Sequence, residues 1–409
     1  MTQPRRLACL DALRGIALVQ VVLSTYLAAF HPGILPQAPL ANGTFTAIVL
    51  AIASDGYAGI CLFLCVSGYA LTWACGNGRV VVPRLLAGRT IRLVVPALGG
   101  LLLGWLTAAT LADKAHAAGM WIGSDLLRAL YPVPPSAHAM ARDVLAATVT
   151  GYNGSSIVAD MVTTWLHIPL PLEQSANPAL WALPLHLLGS ALIIYLLAAR
   201  KIGLVPWLGL GILIGAGVLT TPLACLFVGH LLARVALTRP ITLPATLAVP
   251  LIGAGGYFCL VPFLELPPAF LDLVAQVPYL SLTAALDVAR MSKITGTAMI
   301  FVGVMLCPVL QGLLAAVPLP QLGRYALPVY LAHVPVITGL CPAVLIAAQL
   351  PAGSTRALLL AATALCGLAA VGAVLAWINR LTRRIARALA RMSDRDAAQR
   401  GQERLVRRR

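Results

Sequence analysis

The chain opens with an apolar run that contains the charged stretch Leu10-Asp11-Ala12-Leu13-Arg14-Gly15-Ile16-Ala17. The run covers residues 7–30, and a run of about 18 or more such residues is typical of a transmembrane helix. Each ionisable side chain inside such a helix costs a few kcal/mol, so Asp11 and Arg14 are functional candidates. The alternative is an ion pair at spacing i, i+3 that only anchors the helix.

The composition extends this reading to the whole chain. Of the 409 residues, 60% are hydrophobic and only 10% are charged, with a mean hydropathy of +0.89. Soluble domains rarely exceed one half apolar residues. The sequence therefore predicts an all-α integral membrane protein, a bundle of about ten transmembrane helices. Nine cysteines occur without a CxxC or HExxH spacing, so no metal site is predicted.

The apolar runs set the predicted spans and domains. The spans are expected at residues 7–30, 45–73, a third ending near 112, and then 179–199, 203–219, 221–237, 243–264, 295–317, 325–349 and 357–379. Residues 113–177 form the one long polar segment, expected as an outer loop. The membrane domain thus covers residues 1–379, and residues 380–409 form a basic tail.

The distribution of positive charge predicts the orientation. If the N-terminus is cytoplasmic, the cytoplasmic segments hold 23 of the 29 Lys and Arg residues, which satisfies the positive-inside rule. An even number of spans then places both termini in the cytoplasm. The tail carries eleven arginines and three acidic residues. Such a tail is expected to contact the anionic headgroups of membrane lipids and not nucleic acid.

Several motifs, in the right order, resemble the acyltransferase type 3 family. They are the stretch around Arg14 and residues 59–69, 83–96, 181–190 and 322–335. Members of this family are integral-membrane enzymes that acylate sugars and other hydroxyl acceptors. The resemblance implies transfer of an acyl group, with acetyl the expected one, from acyl-coenzyme A to a cell-envelope glycan or lipid-linked sugar. It also implies a bacterial inner-membrane protein.

The donor site is expected around a run of arginines. Arg84, Arg89 and Arg92 stand before or within the start of the third span, and forked guanidinium groups suit phosphate. Anchoring by the positive-inside rule is the alternative. The resemblance implies that these arginines, together with Arg14, contact the phosphates of acyl-coenzyme A.

The resemblance also assigns Tyr330 and His333 to the donor channel, because they lie in the last motif. At spacing i, i+3 they share one face of a helix. The alternative is a histidine bonded to a backbone carbonyl that Pro335 leaves without a donor.

Two catalytic positions of the family are substituted. The family's histidine, eleven residues after Arg14, is Thr25 here, and the family's glutamate is His186. A base that activates a hydroxyl needs a pKa near neutral, which histidine provides. The hypothesis is therefore that His186 is the base, that Asp55 orients it, and that Thr25 lies at the same site.

Two other classes of function remain open from the sequence. One is a catalytically silent relative that binds a ligand or a neighbouring enzyme. The other is a transporter or exporter of a small polar molecule, since an apolar bundle with a few buried polar groups suits this too. Consumption of acyl-coenzyme A separates an enzyme from both.

Overall fold

The computed structural model describes residues 3–34, 44–76, 81–153, 165, 171–203, 206–209, 211, 221–239, 241–264, 288–349 and 351–406. Nearly all of these residues are helical, and none of them forms a β-strand. The predicted all-α architecture is confirmed.

The described residues form fifteen α-helices, numbered in chain order. They are α1 (Gln3–Phe30), α2 (Phe45–Ala53), α3 (Gly56–Cys75), α4 (Val82–Ile122), α5 (Asp125–Ala129), α6 (Ala137–Leu145), α7 (Ala182–Ile202), α8 (Leu223–Thr238), α9 (Ala245–Leu260), α10 (Val288–Leu306), α11 (Pro308–Ala316), α12 (Leu319–Arg324), α13 (Ala326–Pro335), α14 (Cys341–Ala348) and α15 (Ser354–Val406). A π-helical segment, Val336–Leu340, joins α13 to α14.

Eight stretches of the described chain are long and apolar enough to cross a membrane. They are Ala8–Phe30, Gly56–Cys75, Val82–Ile122, Pro178–Arg200, Ala245–Phe263, Val288–Leu306, Ala326–Ala348 and Ser354–Thr382. Helix α8 is apolar but has only 16 residues. Most of the predicted span 203–219 lies outside the described residues. The total of ten spans therefore stays a prediction.

The second predicted span is wrong, because the apolar run 45–73 is broken at Ser54 and Asp55. Helix α2 ends at Ala53 and α3 begins at Gly56. The Asp55 carboxylate accepts a hydrogen bond of 3.0 Å from the backbone N–H of Ala58. An aspartate that caps a helix in this way satisfies a free N–H group and favours a new helix start.

The third span extends ten residues beyond its predicted end near residue 112. Helix α4 runs for 41 residues to Ile122 and is capped by Gly123, whose φ of 73° is left-handed. Its last turns are rich in alanine, and alanine has the highest helix propensity. The predicted loop 113–177 therefore begins inside a helix and contains α5 and α6.

The helices pack in an arrangement that gathers several arginine-bearing segments. Helix α1 is antiparallel to α3, since Gly59 lies against the Ala17 carbonyl while Gly56 lies against Ser24. Earlier in α1, the Asp11 carbonyl contacts Gly323 of α12. We call the end of the bundle that holds the first turns of α1 and α4, together with α12, the arginine end. Asp55 lies at the opposite end.

The last helix continues from the membrane region into the basic tail. Gly99 of α4 contacts Leu375 of α15, so this part of α15 approaches the arginine end. The described backbone of α15 runs as one helix to Val406. No break separates the predicted membrane domain from residues 380–406.

A very close helix contact among the described residues joins α3 to α8. A methyl group at Gly68 would overlap the carbonyl oxygen of Leu226, and one at Gly229 would overlap that of Cys65. Small residues at such positions let two backbones touch, which is how helices associate in a membrane. Ser67 beside this contact is thereby held at a fixed height in the bundle.

We expect Gly68→Ala to destabilise the protein, by about 1–3 kcal/mol for an overpacked core position. A lowered thermal unfolding midpoint of the detergent-solubilised protein measures this. The matched control is Gly253→Ala in α9, where an added methyl group has no neighbour within 4 Å. Its midpoint should stay unchanged or rise, since alanine favours a helix by about 1 kcal/mol over glycine. Equal midpoints for both variants would contradict the proposed close contact.

Candidate functional site

Arg89 lies where three of the sequence motifs meet. Its side chain is half-buried on α4. One terminal nitrogen donates a hydrogen bond to the hydroxyl of Ser67 on α3. Its Nε donates to Ser190 Oγ on α7 at 3.0 Å. The motif segments 59–69, 83–96 and 181–190, far apart in sequence, are therefore joined by one guanidinium group.

Further positive charge surrounds this group. The charges of Arg14 on α1 and Arg92 on α4 both act on Arg89. Arg14 also forms the predicted ion pair with Asp11, at 2.5 Å between nitrogen and oxygen. Among the described residues, only one carboxylate forms an ion pair with any of these three arginines. It is Asp11, and its partner is Arg14. The cluster therefore keeps a net positive charge that an anion would balance.

The outer arginines of the motif lie towards the surface. Arg84 and Arg92 are exposed, whereas Arg89 is half-buried. Two exposed guanidinium groups and one half-buried, hydrogen-bonded guanidinium group therefore lie on the first turns of α4. Such an arrangement suits an anion with several phosphate groups.

His186 lies beside this cluster. It is half-buried on α7, one turn before Ser190, whose hydroxyl donates to the His186 carbonyl at 2.6 Å. Arg89 is the charged residue that acts on its imidazole. The structure thus brings His186 together with Arg89, whereas the sequence predicted it beside Asp55 and Thr25.

Asp55 does not join His186, so the predicted pair is wrong in this respect. The Asp55 carboxylate is 5% exposed and lies 3.1 Å from the Lys293 ammonium. It stands twelve residues before Ser67 on α3, which is about 18 Å of helix rise. The sequence placed Lys293 in a loop before the span 295–317, but α10 already begins at Val288. A buried carboxylate requires a positive partner, and Lys293 supplies it.

Thr25 lies near the Asp55 end and not at the arginine cluster. Its hydroxyl donates to the Val21 carbonyl of the same helix at 3.1 Å. The neighbouring Ser24 contacts Gly56, the first residue of α3. Arg14 and Thr25 are therefore separated along α1 by about 16 Å of helix rise.

Tyr330 and His333 lie together in the interior on α13. The Tyr330 hydroxyl donates to the Ala179 carbonyl, and its ring packs against Phe63 with centroids 5.9 Å apart. His333 is 1% exposed, and its Nδ1 lies 2.5 Å from the Tyr330 carbonyl oxygen. Phe63 is one turn from Ser67, so a single face of α3 leads from Arg89 to Tyr330.

Asn177, and not His333, donates a hydrogen bond to the backbone carbonyl that lacks a donor because of Pro335. Pro335 has no N–H, so the carbonyl of Leu331 lacks its helical donor. Asn177 Nδ2 donates to this carbonyl at 2.9 Å and also to the Gly100 carbonyl at 3.1 Å. The alternative considered for His333, a bond to the carbonyl freed by Pro335, is therefore wrong, since His333 bonds the carbonyl of Tyr330.

Sequence reasoning missed Asn177 and the polar network that holds it. Asn177 is fully buried, and its backbone N–H donates to Ser175 Oγ at 3.2 Å. Ser175 donates to the Asp143 carboxylate of α6 at 3.0 Å, and Tyr152 donates to it at 2.5 Å. Burial raises the pKa of the Asp143 carboxyl, although these hydrogen bonds oppose the shift. The only indication of this role in the sequence was that Asn177 lies just before the motif that begins at Trp181.

The site offers no evident metal ligands. Among the described residues, no group of three or more His, Cys, Asp or Glu side chains could hold a metal ion. The nine cysteines are free thiols.

The fold and this site define a multi-pass membrane protein with a cationic cluster at one end of its helical bundle. The family model described as "Acyltransferase domain" matches residues 7–378, nearly the whole chain. The chain therefore belongs to this family, and the resemblance inferred from the motifs is confirmed. Family and apolar helices together identify it as a membrane acyltransferase. No curated protein and no solved structure matched the chain.

We expect Asp55→Asn to destabilise the protein, by about 3–5 kcal/mol for a charge left buried without its partner. In the double variant Asp55→Asn/Lys293→Met the lone charge is removed, so part of the loss should be recovered. The measurement is the thermal unfolding midpoint of the two single variants and the double variant in detergent. Additive losses would show that the two residues do not depend on each other.

Proposed function

We propose that the protein transfers an acyl group, acetyl in the simplest case, from acyl-coenzyme A to a hydroxyl of a cell-envelope glycan or lipid-linked sugar. The observation that carries the proposal is the cluster of Arg14, Arg89 and Arg92, which has only Asp11 as a paired carboxylate among the described residues. Coenzyme A brings the phosphate groups that such a cluster can bind.

The geometry of Arg89 supports a role in binding the donor. A guanidinium has five N–H donors in a fixed plane, and only its contacts with Ser67 and Ser190 are hydrogen bonds within the described protein. The remaining donors are available to a phosphate. Charge-assisted hydrogen bonds of this kind are among the strongest in proteins. The two serines hold the group in place before the donor binds, which lowers the entropic cost of binding.

The distribution of charge supports entry of the donor from the cytoplasm. The arginine end carries the exposed Arg84 and Arg92, and the positive-inside rule places such an end in the cytoplasm. Both termini are then cytoplasmic, as expected for a bacterial inner-membrane protein. The basic tail continues from α15 on this side, where it can bind anionic lipid headgroups.

The same face of α3 suggests a route for the acyl group. The route begins at Ser67 and Arg89, passes Phe63, and reaches the interior pair Tyr330 and His333. His186, one turn from Ser190 and near Arg89, would line the part near the donor phosphates. The acceptor would approach from the opposite end.

A catalytically silent relative is the second candidate. It is favoured by Thr25, whose hydroxyl is bonded within its own helix at the position of the family's histidine. Such a protein would bind the donor without consuming it.

Purified protein in liposomes should consume acetyl-coenzyme A and release free thiol when envelope glycan from a deletion strain is added. A thiol-reactive dye measures the release. Mass spectrometry of envelope glycans from wild-type and deletion strains should show an acyl-sized mass difference on one component. Binding of the donor without thiol release, and identical glycans in both strains, would favour the silent relative.

Arg89→Gln should weaken binding of acetyl-coenzyme A to the detergent-solubilised protein by about one to two decades. This corresponds to the loss of about 1.5–3 kcal/mol for a hydrogen bond to a charged group. Isothermal titration calorimetry measures the affinity. Arg92→Gln should act in the same direction without disturbing the two serine contacts. Arg128→Gln, in α5 and paired there with Asp125, is the matched control and should leave the affinity unchanged. If the Arg89 and Arg92 variants bind acetyl-coenzyme A with unchanged affinity, these arginines do not bind the donor and only anchor the protein in the membrane.

A further inference from the structure

The imidazole of His333 has a defined tautomer. A carbonyl oxygen can only accept a hydrogen bond, so the contact between Nδ1 and the Tyr330 carbonyl requires a proton on Nδ1. The neutral ring then carries its lone pair on Nε2. Among the described residues, this contact is the only hydrogen bond of the ring. A nitrogen lone pair that points away from a fixed N–H contact is what a general base needs.

The backbone around His333 is held on two sides. The Tyr330 hydroxyl is bonded to Ala179, just before α7. The side-chain amide of Asn177 donates a hydrogen bond to the Leu331 carbonyl, which has no helical donor because of Pro335. The same amide group also donates to the Gly100 carbonyl of α4, so it connects the two helices. A side chain carried by such a fixed segment keeps its orientation, which catalysis requires.

The distance from the arginine cluster also fits. Asn177 places Leu331 beside Gly100, which is eleven residues or about 16 Å of helix rise from Arg89. In acyl-coenzyme A the thioester lies at the far end of the pantetheine arm from the phosphates. A base for the reacting carbonyl therefore belongs well away from the phosphate-binding arginines. His186, beside Arg89, is too close to the phosphates for this task.

We propose that His333 is the catalytic base of the acyl transfer, a role that rests on the proposed function. As the acceptor hydroxyl oxygen bonds to the thioester carbonyl carbon, its proton moves to Nε2 of His333. The tetrahedral intermediate then collapses and the carbon–sulfur bond breaks. The sulfur leaves with the electron pair and takes the proton from Nε2. An ester and free coenzyme A result, and no oxidant or reductant is needed.

The test is chemical rescue with imidazole, using thiol release from acetyl-coenzyme A in liposomes. His333→Gly should lower kcat by about 10²–10⁴-fold, the usual contribution of a general base. Donor affinity, measured by calorimetry, should change by far less than kcat. Added imidazole should restore part of the rate, and the rescued rate should rise with pH up to about 7 as imidazole loses its proton. His138→Ala, an exposed position on α6, controls for unspecific effects and should keep the full rate.

Two further variants keep the test decisive. His333→Asn retains a donor for the Tyr330 carbonyl but lacks the basic nitrogen, so it should fold, bind the donor and remain inactive. His186→Gly should raise the KM for acetyl-coenzyme A and should not respond to imidazole. A retained kcat in the His333 variants, or rescue at position 186 alone, would overturn the assignment of His333 while leaving acyl transfer intact. An inactive wild-type protein would overturn the proposed function and the assignment with it.

Discussion

The hydrogen bonds of Arg89 to Ser67 and Ser190 are the interaction on which the site depends. A guanidinium inside an apolar bundle carries a large desolvation penalty, which hydrogen bonds on several sides must offset. These bonds connect three helices, so the burial of one charge also determines how α3, α4 and α7 are positioned. The close contact of Gly68 with α8 keeps Ser67 at the required height. Packing and electrostatics therefore support the same arrangement.

A second polar network performs a similar task in the interior. The Asp143 carboxylate accepts a hydrogen bond from Ser175, and Ser175 accepts one from the backbone N–H of Asn177. The side-chain amide of Asn177 in turn donates to the Leu331 carbonyl, which has no helical donor because residue 335 is a proline. Membrane helices tolerate proline when another group takes over the freed carbonyl. Here that group also fixes the segment that carries His333. The hydrogen bond lost at Pro335 is thus replaced next to His333, where the proposed reaction requires a rigid backbone.

The errors of prediction have local causes. The break at Asp55 was hidden inside a continuous apolar run, because a cap of one residue hardly changes the hydropathy. The extension of α4 to Ile122 was missed because charged residues among the alanines looked like a loop. Lys293 was placed outside a helix, and the buried ion pair with Asp55 was therefore not foreseen. In each case a short-range feature that hydropathy averages out decided the outcome.

The sequence by itself determined the membrane class, most of the spans and the family, because these depend on long apolar runs and on the order of motifs. It also identified Arg89 and His186 as candidate site residues, since both lie in motifs. Only the tertiary structure decided which side chains meet. It separated Asp55 from His186 and gave Asn177 a role between α4 and α13. The physical reason is that contacts between helices depend on crossing points and side-chain directions, and neither is encoded in the hydropathy of a single helix.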